Sequence, residues 1–298
     1  MKKALILAIA GSFFFAFTFV LNRNMNLSGG SWVWSASLRY LITFPIMAVL
    51  VWRKHGFSKI HNDIKKNIRF WLLWSTVGFG LFYAPLSFAS DHGASWLIAA
   101  SWQVTIVMGI LMAPLFHKSV PIKNLAASGV ILIGVFLLQA QSIVDFKWNT
   151  SLFTLIPILV AAISYPLGNR KVMSVCSNLS TIERTYAMTL CSLPFWALLS
   201  TFGILNLGAP SLSQSFQALA VAVFSGVIAT LLFFKATDLV KSNQKKLAVI
   251  ESTQAGEVIF TLIGGTLLLG DALPDFWGAI GILLIILGMI CNSLLSNR

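Results

Sequence analysis

Lysine and arginine avoid every second connection in this chain. Ten apolar stretches can be marked off, at roughly residues 4–22, 31–52, 70–88, 93–116, 121–140, 150–169, 184–204, 215–235, 247–269 and 275–295. As helices rising 1.5 Å per residue, stretches of about 20 residues span the ~30 Å core of a bilayer. Of the 21 Lys and Arg residues, Arg23 and Lys147 fall in one set of alternate connections and Arg39 lies inside the second stretch, while the other 18 fall on the opposite side, in its connections, at the adjoining edges of stretches or at the termini. Basic residues collect on the cytoplasmic side of membrane proteins. The alternation therefore predicts ten spans with both termini in the cytoplasm, since one span more or fewer would scramble it.

Composition agrees. The chain is 57% hydrophobic and only 10% charged, whereas soluble domains run near one quarter charged. A net charge of +12 would suggest nucleic-acid binding in a soluble protein. Here the positive residues sit in connections between spans, so lipid and a small molecule are the expected partners and nucleic acid is not. Lys2 and Lys3 head an apolar run as in a signal peptide, but no small-residue cleavage pattern follows, and the run is expected to stay as the first helix. Cys176, Cys191 and Cys291 have no paired spacing, and His55, His61, His92 and His117 form no ligand pattern. No disulfide framework, metal site or cofactor is expected. The absence of a phosphate-cradling glycine loop and of a nucleophile motif argues against ATP-driven transport and against an enzyme.

The two halves correspond. SWLIAASWQV (Ser95 to Val104) and KLAVIESTQAG (Lys246 to Gly256) each begin the fourth helix of a set of five and each place a glutamine in mid-span, Gln103 and Gln254. Each is followed by a glycine-containing apolar helix. Residues 1–141 and 148–298 read as two five-helix repeats forming one transmembrane unit. Five is odd, so the second copy enters the membrane from the opposite side, and inverted repeats place a substrate site near the midplane where the copies meet.

The stretches Phe82 to Phe116 and Leu232 to Gly288 resemble the ten-helix branch of the drug/metabolite transporter superfamily, and within it the multidrug resistance efflux transporters. The first is similar to the family's third and fourth helices and the second to its eighth to tenth. Asp271 matches an acid common after the ninth helix. The mid-helix proline usual in the fourth and ninth helices is missing at Thr105–Val107 and Ala255–Val258. The resemblance implies the fold and solute transport, with amino acids, nucleotide precursors, sugars and drugs all within the superfamily's range. The small multidrug resistance relatives depend on a glutamate in their first helix. The first helix here has no acid, so that mechanism does not carry over.

Glu257 is the residue that most needs a reason. It lies about 15 Å into the ninth helix, and a carboxylate at mid-membrane costs about 2–3 kcal/mol or more. Either a neighbouring helix satisfies it, or it faces a wet cavity and meets a proton or a substrate. Gln103 lies at similar depth. Glu251, Gln254 and Glu257 form a polar stripe, with Glu251 close enough to the membrane edge to be a surface acid. Arg39 is an intramembrane cation that either contacts substrate or Glu257, or serves structure through helix-end carbonyls or a fixed carboxylate. Trp102 and Trp96, with Tyr83 and Tyr165, are the aromatic candidates for a cavity wall, although lipid anchoring is the commoner role. Tyr165 precedes Pro166 in a helix that also carries Pro157, and such breaks free backbone groups near cavities.

The expected protein is thus an all-α transporter of the plasma (inner) membrane, a monomer or homodimer. It would export a small amphipathic or cationic solute by alternating access, with proton exchange through Glu257 as the suggested coupling. An uncoupled or exchange-type carrier of an amino acid or other metabolite, with Arg39 holding its carboxylate, is the alternative. An intramembrane enzyme would need clustered His, Ser or Asp at one membrane face, which the sequence lacks.

Overall fold

A backbone in lipid must satisfy its own polar groups, which only a helix does within one segment. A computed structural model describes residues 1–53, 57–116, 122–144, 148–175, 179–240 and 244–295, and among these the regular structure is entirely helical. The helices are α1 (Lys2–Leu27), α2 (Trp32–Trp52), α3 (Phe57–Lys66), α4 (Ile68–Ser90), α5 (Ser95–Trp102), α6 (Val104–Leu111), α7 (Ile122–Val144), α8 (Trp148–Val175), α9 (Thr181–Leu207), α10 (Leu212–Thr237), α11 (Gln244–Ser252), α12 (Ala255–Leu269) and α13 (Phe276–Leu295). Among the described residues, eight helical segments are long and apolar enough to cross a membrane. Two further apolar segments, Ser95–Leu111 and Ile122–Leu138, are shorter. Many large apolar side chains face outward, among them Leu198, Leu205, Leu267 and Leu268, as a lipid-facing surface requires.

The structure departs from the sequence reading in three places. The connection 53–69, which lies between the second and third apolar stretches and carries no span, contains the amphipathic helix α3. Ile60 and Ile64, one turn apart, are buried under it while Lys59, Lys65 and Lys66 face out. Asp63 accepts from the Trp71 indole N–H at 3.0 Å, tying α3 to α4.

Next, the fourth and ninth apolar stretches are interrupted even though neither has the proline that would explain a break. Gln103 Nε2 donates to Ala99 O at 3.1 Å. It takes the carbonyl that the Gln103 amide would use in an α-helix, and that amide bonds Ala100 O instead. At Thr253–Gln254 hydroxyls do the same: Thr253 Oγ1 bonds Ile250 O at 2.6 Å, and Ser12 Oγ of α1 reaches Thr253 O at 2.8 Å. Side chains that offer the backbone an alternative partner can replace proline as a helix breaker.

Finally, α4 and α10 each contain a π-helical segment, at Thr76–Gly80 and Ala222–Ala229. Extra-wide turns of this kind concentrate at functional sites.

α7 and α13 pack antiparallel. A Cβ on Gly134 would lie 2.7 Å from the carbonyl oxygen of Gly281, and one on Gly281 would lie 2.7 Å from that of Gly134. Near one end of the pair, Asn124 Nδ2 donates to Asn292 O at 2.9 Å. The remaining long helices surround the interior, with α1 against α10 and α12, α2 against α9, and α4 against α8. Tyr40 stacks on Trp196 with ring centroids 4.5 Å apart, and both belong to the largest apolar cluster among the described residues.

Candidate functional site

The two interrupted helices and the two π segments border one cavity of about 340 Å³. That is at the small end of the ~300–1,000 Å³ typical of small-molecule sites. Glu257 lies in the first turn of α12, directly after the break, and lines the cavity with Gln254. A helix N-terminus carries partial positive charge and favours a carboxylate there. Glu257 is half-exposed although deep inside the helical bundle, because the space beside it is the cavity. Gln103, at the other break, is the side chain that faces its carboxyl.

Arg39 of α2 lines the same cavity and is the cation whose charge acts on Glu257. It forms no salt bridge among the described residues. Its Nη1 donates to Thr18 Oγ1 and its Nη2 to Ser225 Oγ, both at 3.3 Å. Ser225 belongs to the π segment of α10, and its hydroxyl lies 2.5 Å from that of Thr18. The guanidinium sits over the Tyr83 ring, 4.1 Å from its centroid, and Asn22 Nδ2 donates to the Tyr83 hydroxyl at 3.0 Å. Arg39 is thus held by neutral groups: two hydroxyls and an aromatic face.

An aromatic wall completes the cavity. Phe82 lies 5.1 Å from Trp102 and 4.8 Å from Tyr165, centroid to centroid. The lining continues to Thr181 and Arg184 in the first turn of α9, where both are half-exposed. In the other direction α12 runs to Leu269, about 18 Å beyond Glu257 at 1.5 Å per residue, and Asp271 follows its end. There the helix ends are sealed by polar contacts.

Six of the residues singled out in the sequence therefore meet at the cavity: Glu257, Gln254, Gln103, Trp102, Arg39 and Tyr165. Tyr83 stands behind Arg39 as its aromatic support. Glu251 is exposed on α11, outside the cavity. Trp96 lies at the sealed end, where its indole N–H donates to Ala272 O at 2.9 Å. Thr18 and Ser225 were missed. A lone Ser-Gly, Ser225 and Gly226, in the apolar run of α10 was the available signal. Cys176, His55 and His117 lie outside the described residues.

A family model described as "Putative multidrug resistance efflux transporter" matches residues 2–298. The chain belongs to this family. Its membership accords with the drug/metabolite transporter superfamily and makes the chain a multi-pass member of a membrane transporter family. The transporter is 43% identical to "Uncharacterized protein YjlA" of Bacillus subtilis (strain 168), with 99% of this chain and 95% of that one covered. It is also 43% identical to an "Uncharacterized 42.1 kDa protein in intracellular alkaline protease 3'region" of Shouchella clausii, over 89% of this chain and 73% of that one. A solved crystal structure shares the transporter's fold with a TM-score of 0.62 at 14% identity, covering 100% of this chain and 99% of that one.

Proposed function

We propose that the protein is a secondary active transporter that exports a small amphipathic solute bearing a cationic group, by alternating access through the cavity around Glu257. The observation that carries this reading is Glu257 itself: an acid at a helix break, half-exposed to a cavity and faced by Gln103. Such a carboxyl can exchange a proton for a cationic solute, which makes proton antiport the favoured coupling. The ten-span layout, with residues 1–141 and 148–298 as inverted repeats, is supported by paired features. A π segment falls in the third and eighth stretches, a break in the fourth and ninth, and the fifth and tenth meet through reciprocal glycine contacts. Under the charge rule both termini are cytoplasmic, and the cavity reaches toward the cytoplasm through Thr181 and Arg184. The Asp271 contacts then close the outer side. The plasma membrane is the location this orientation suits.

Proteoliposomes carrying an imposed pH gradient test the reading, with tetraphenylphosphonium as the first probe. Gradient-driven flux that disappears in Glu257→Gln is the expected result, whereas equal flux in the variant would remove the coupling. Arg39 favours a second reading, an exchange-type carrier of an amino acid or other metabolite. In that case counterflow would persist without a pH gradient.

A further inference from the structure

We infer that the cavity takes a zwitterion: a small molecule with a cationic group for Glu257, an anionic group for Arg39 and an apolar body against the aromatic wall. The inference rests on the proposed role of the cavity as the transport site and narrows its cargo.

Arg39 carries it. A guanidinium does not lose its proton in a protein, so the cavity contains a fixed positive charge whatever the state of Glu257. Two of its N–H groups go to the hydroxyls of Thr18 and Ser225, at 3.3 Å, the long end of the hydrogen-bond range. Neither these contacts nor the Tyr83 ring supplies negative charge, and Arg39 makes no salt bridge among the described residues. A singly charged cation drawn to Glu257 would therefore enter a space of about 340 Å³ that Arg39 lines and that also reaches Arg184. A singly charged anion would meet the mirror-image problem at ionised Glu257. A cargo with both charges satisfies both ends, and the planar guanidinium fork suits a carboxylate in particular. Trp102, Phe82 and Tyr165 offer ring faces to the part between. The cavity volume limits that part to metabolite size.

Three probes with one benzyl body separate the possibilities: L-phenylalanine with both charges, phenethylamine with only the amine, and 3-phenylpropionate with only the carboxylate. Binding to the purified full-length protein is read from intrinsic tryptophan fluorescence. Counterflow in proteoliposomes reads exchange. Phenylalanine is expected to bind at least tenfold more tightly than either singly charged analogue. Arg39→Gln should bring phenylalanine and phenethylamine to equal affinity, and Arg39→Lys should keep the wild-type order. If Arg39→Gln does not fold, the wild-type ranking and the lysine variant still decide. Equal or tighter binding of phenethylamine or of 3-phenylpropionate, or binding of none of the three, overturns the zwitterion. Tetraphenylphosphonium flux abolished by Glu257→Gln would then leave the transport reading standing. Absence of flux for every probe would remove the transport reading as well.

Discussion

Asp271 accepts two hydrogen bonds from Ser95, one from its backbone N–H at 2.8 Å and one from its hydroxyl at 2.6 Å. Its other oxygen stands 3.8 Å from Nε of Arg23. The carboxylate therefore caps the N-terminus of α5, where unpaired N–H groups and the helix dipole both favour an anion. It joins that end to the end of α12 and to α1. Asp271→Asn keeps one good acceptor but loses the charge. The expected cost is about 1–3 kcal/mol, seen as a lower melting temperature in detergent. An unchanged melting temperature would mean that these contacts contribute nothing to holding the helix ends together.

The reciprocal contact of Gly134 and Gly281 gives a sharper test of packing. Gly134→Ala or Gly281→Ala puts a methyl group 2.7 Å from a carbonyl oxygen on the facing backbone, which cannot swing away as a side chain could. Either substitution is expected to destabilise by about 1–3 kcal/mol. On the same helix α7, a Cβ at Gly129 meets nothing within 4 Å. Gly129→Ala should be neutral or stabilising by up to about 1 kcal/mol through helix propensity. Thermal unfolding of the three variants side by side would show the ordering. Equal behaviour at positions 129 and 134 would contradict the packing described.

The apolar stretches could be read from the sequence because lipid leaves the backbone so few options. Glu257 and Gln103 could be paired by depth alone, since helix rise is constant. The partners of Arg39 could not. Thr18 and Ser225 lie on the first and eighth stretches, and Ser225 faces Arg39 from a π segment that no residue pattern announces. The breaks at Gln103 and Thr253 were hidden for a related reason. Proline is the expected breaker, and here hydroxyl and amide side chains compete for carbonyls instead. The helix α3 is hard to see in the sequence because its charges dominate, although Ile60 and Ile64 have helical spacing.

Asp91, beyond the end of α4, makes stability depend on pH. Burial pushes its carboxyl up to about 6, and His92, the Trp32 backbone N–H, Arg23 and Asn26 offset only part of that. An unfolded aspartate titrates near 3.9. The folded state therefore binds this proton more tightly, so the penalty is absent below about pH 4, grows as pH rises and is complete above about pH 6. Two units correspond to about 3 kcal/mol, which partial exposure reduces to about 1–2 kcal/mol. Asp91→Asn should remove this dependence. Relative to the variant, the wild type is expected to lose melting temperature between pH 4 and pH 7, and parallel curves would refute the assignment.

Two tryptophans separate the cavity from the seal. Trp102 lines the cavity beside Phe82, whereas Trp96 spans the sealed end through its bond to Ala272 O. Removing the Trp102 ring takes apolar and π contact from a bound cargo, worth about 1–3 kcal/mol, or roughly 5- to 150-fold in affinity. Trp102→Ala is therefore expected to raise the half-saturating cargo concentration by that factor. Trp102→Phe should recover most of the loss, because a ring face is kept. Trp96→Phe loses the indole donor and part of the buried ring at the seal, away from the cavity, so it should leave the half-saturating concentration near wild type and alter the maximal rate. Kinetics of counterflow in proteoliposomes distinguish the two. A Trp96 variant that weakens binding as much as Trp102→Ala would place the cargo against the sealed end rather than beside Glu257.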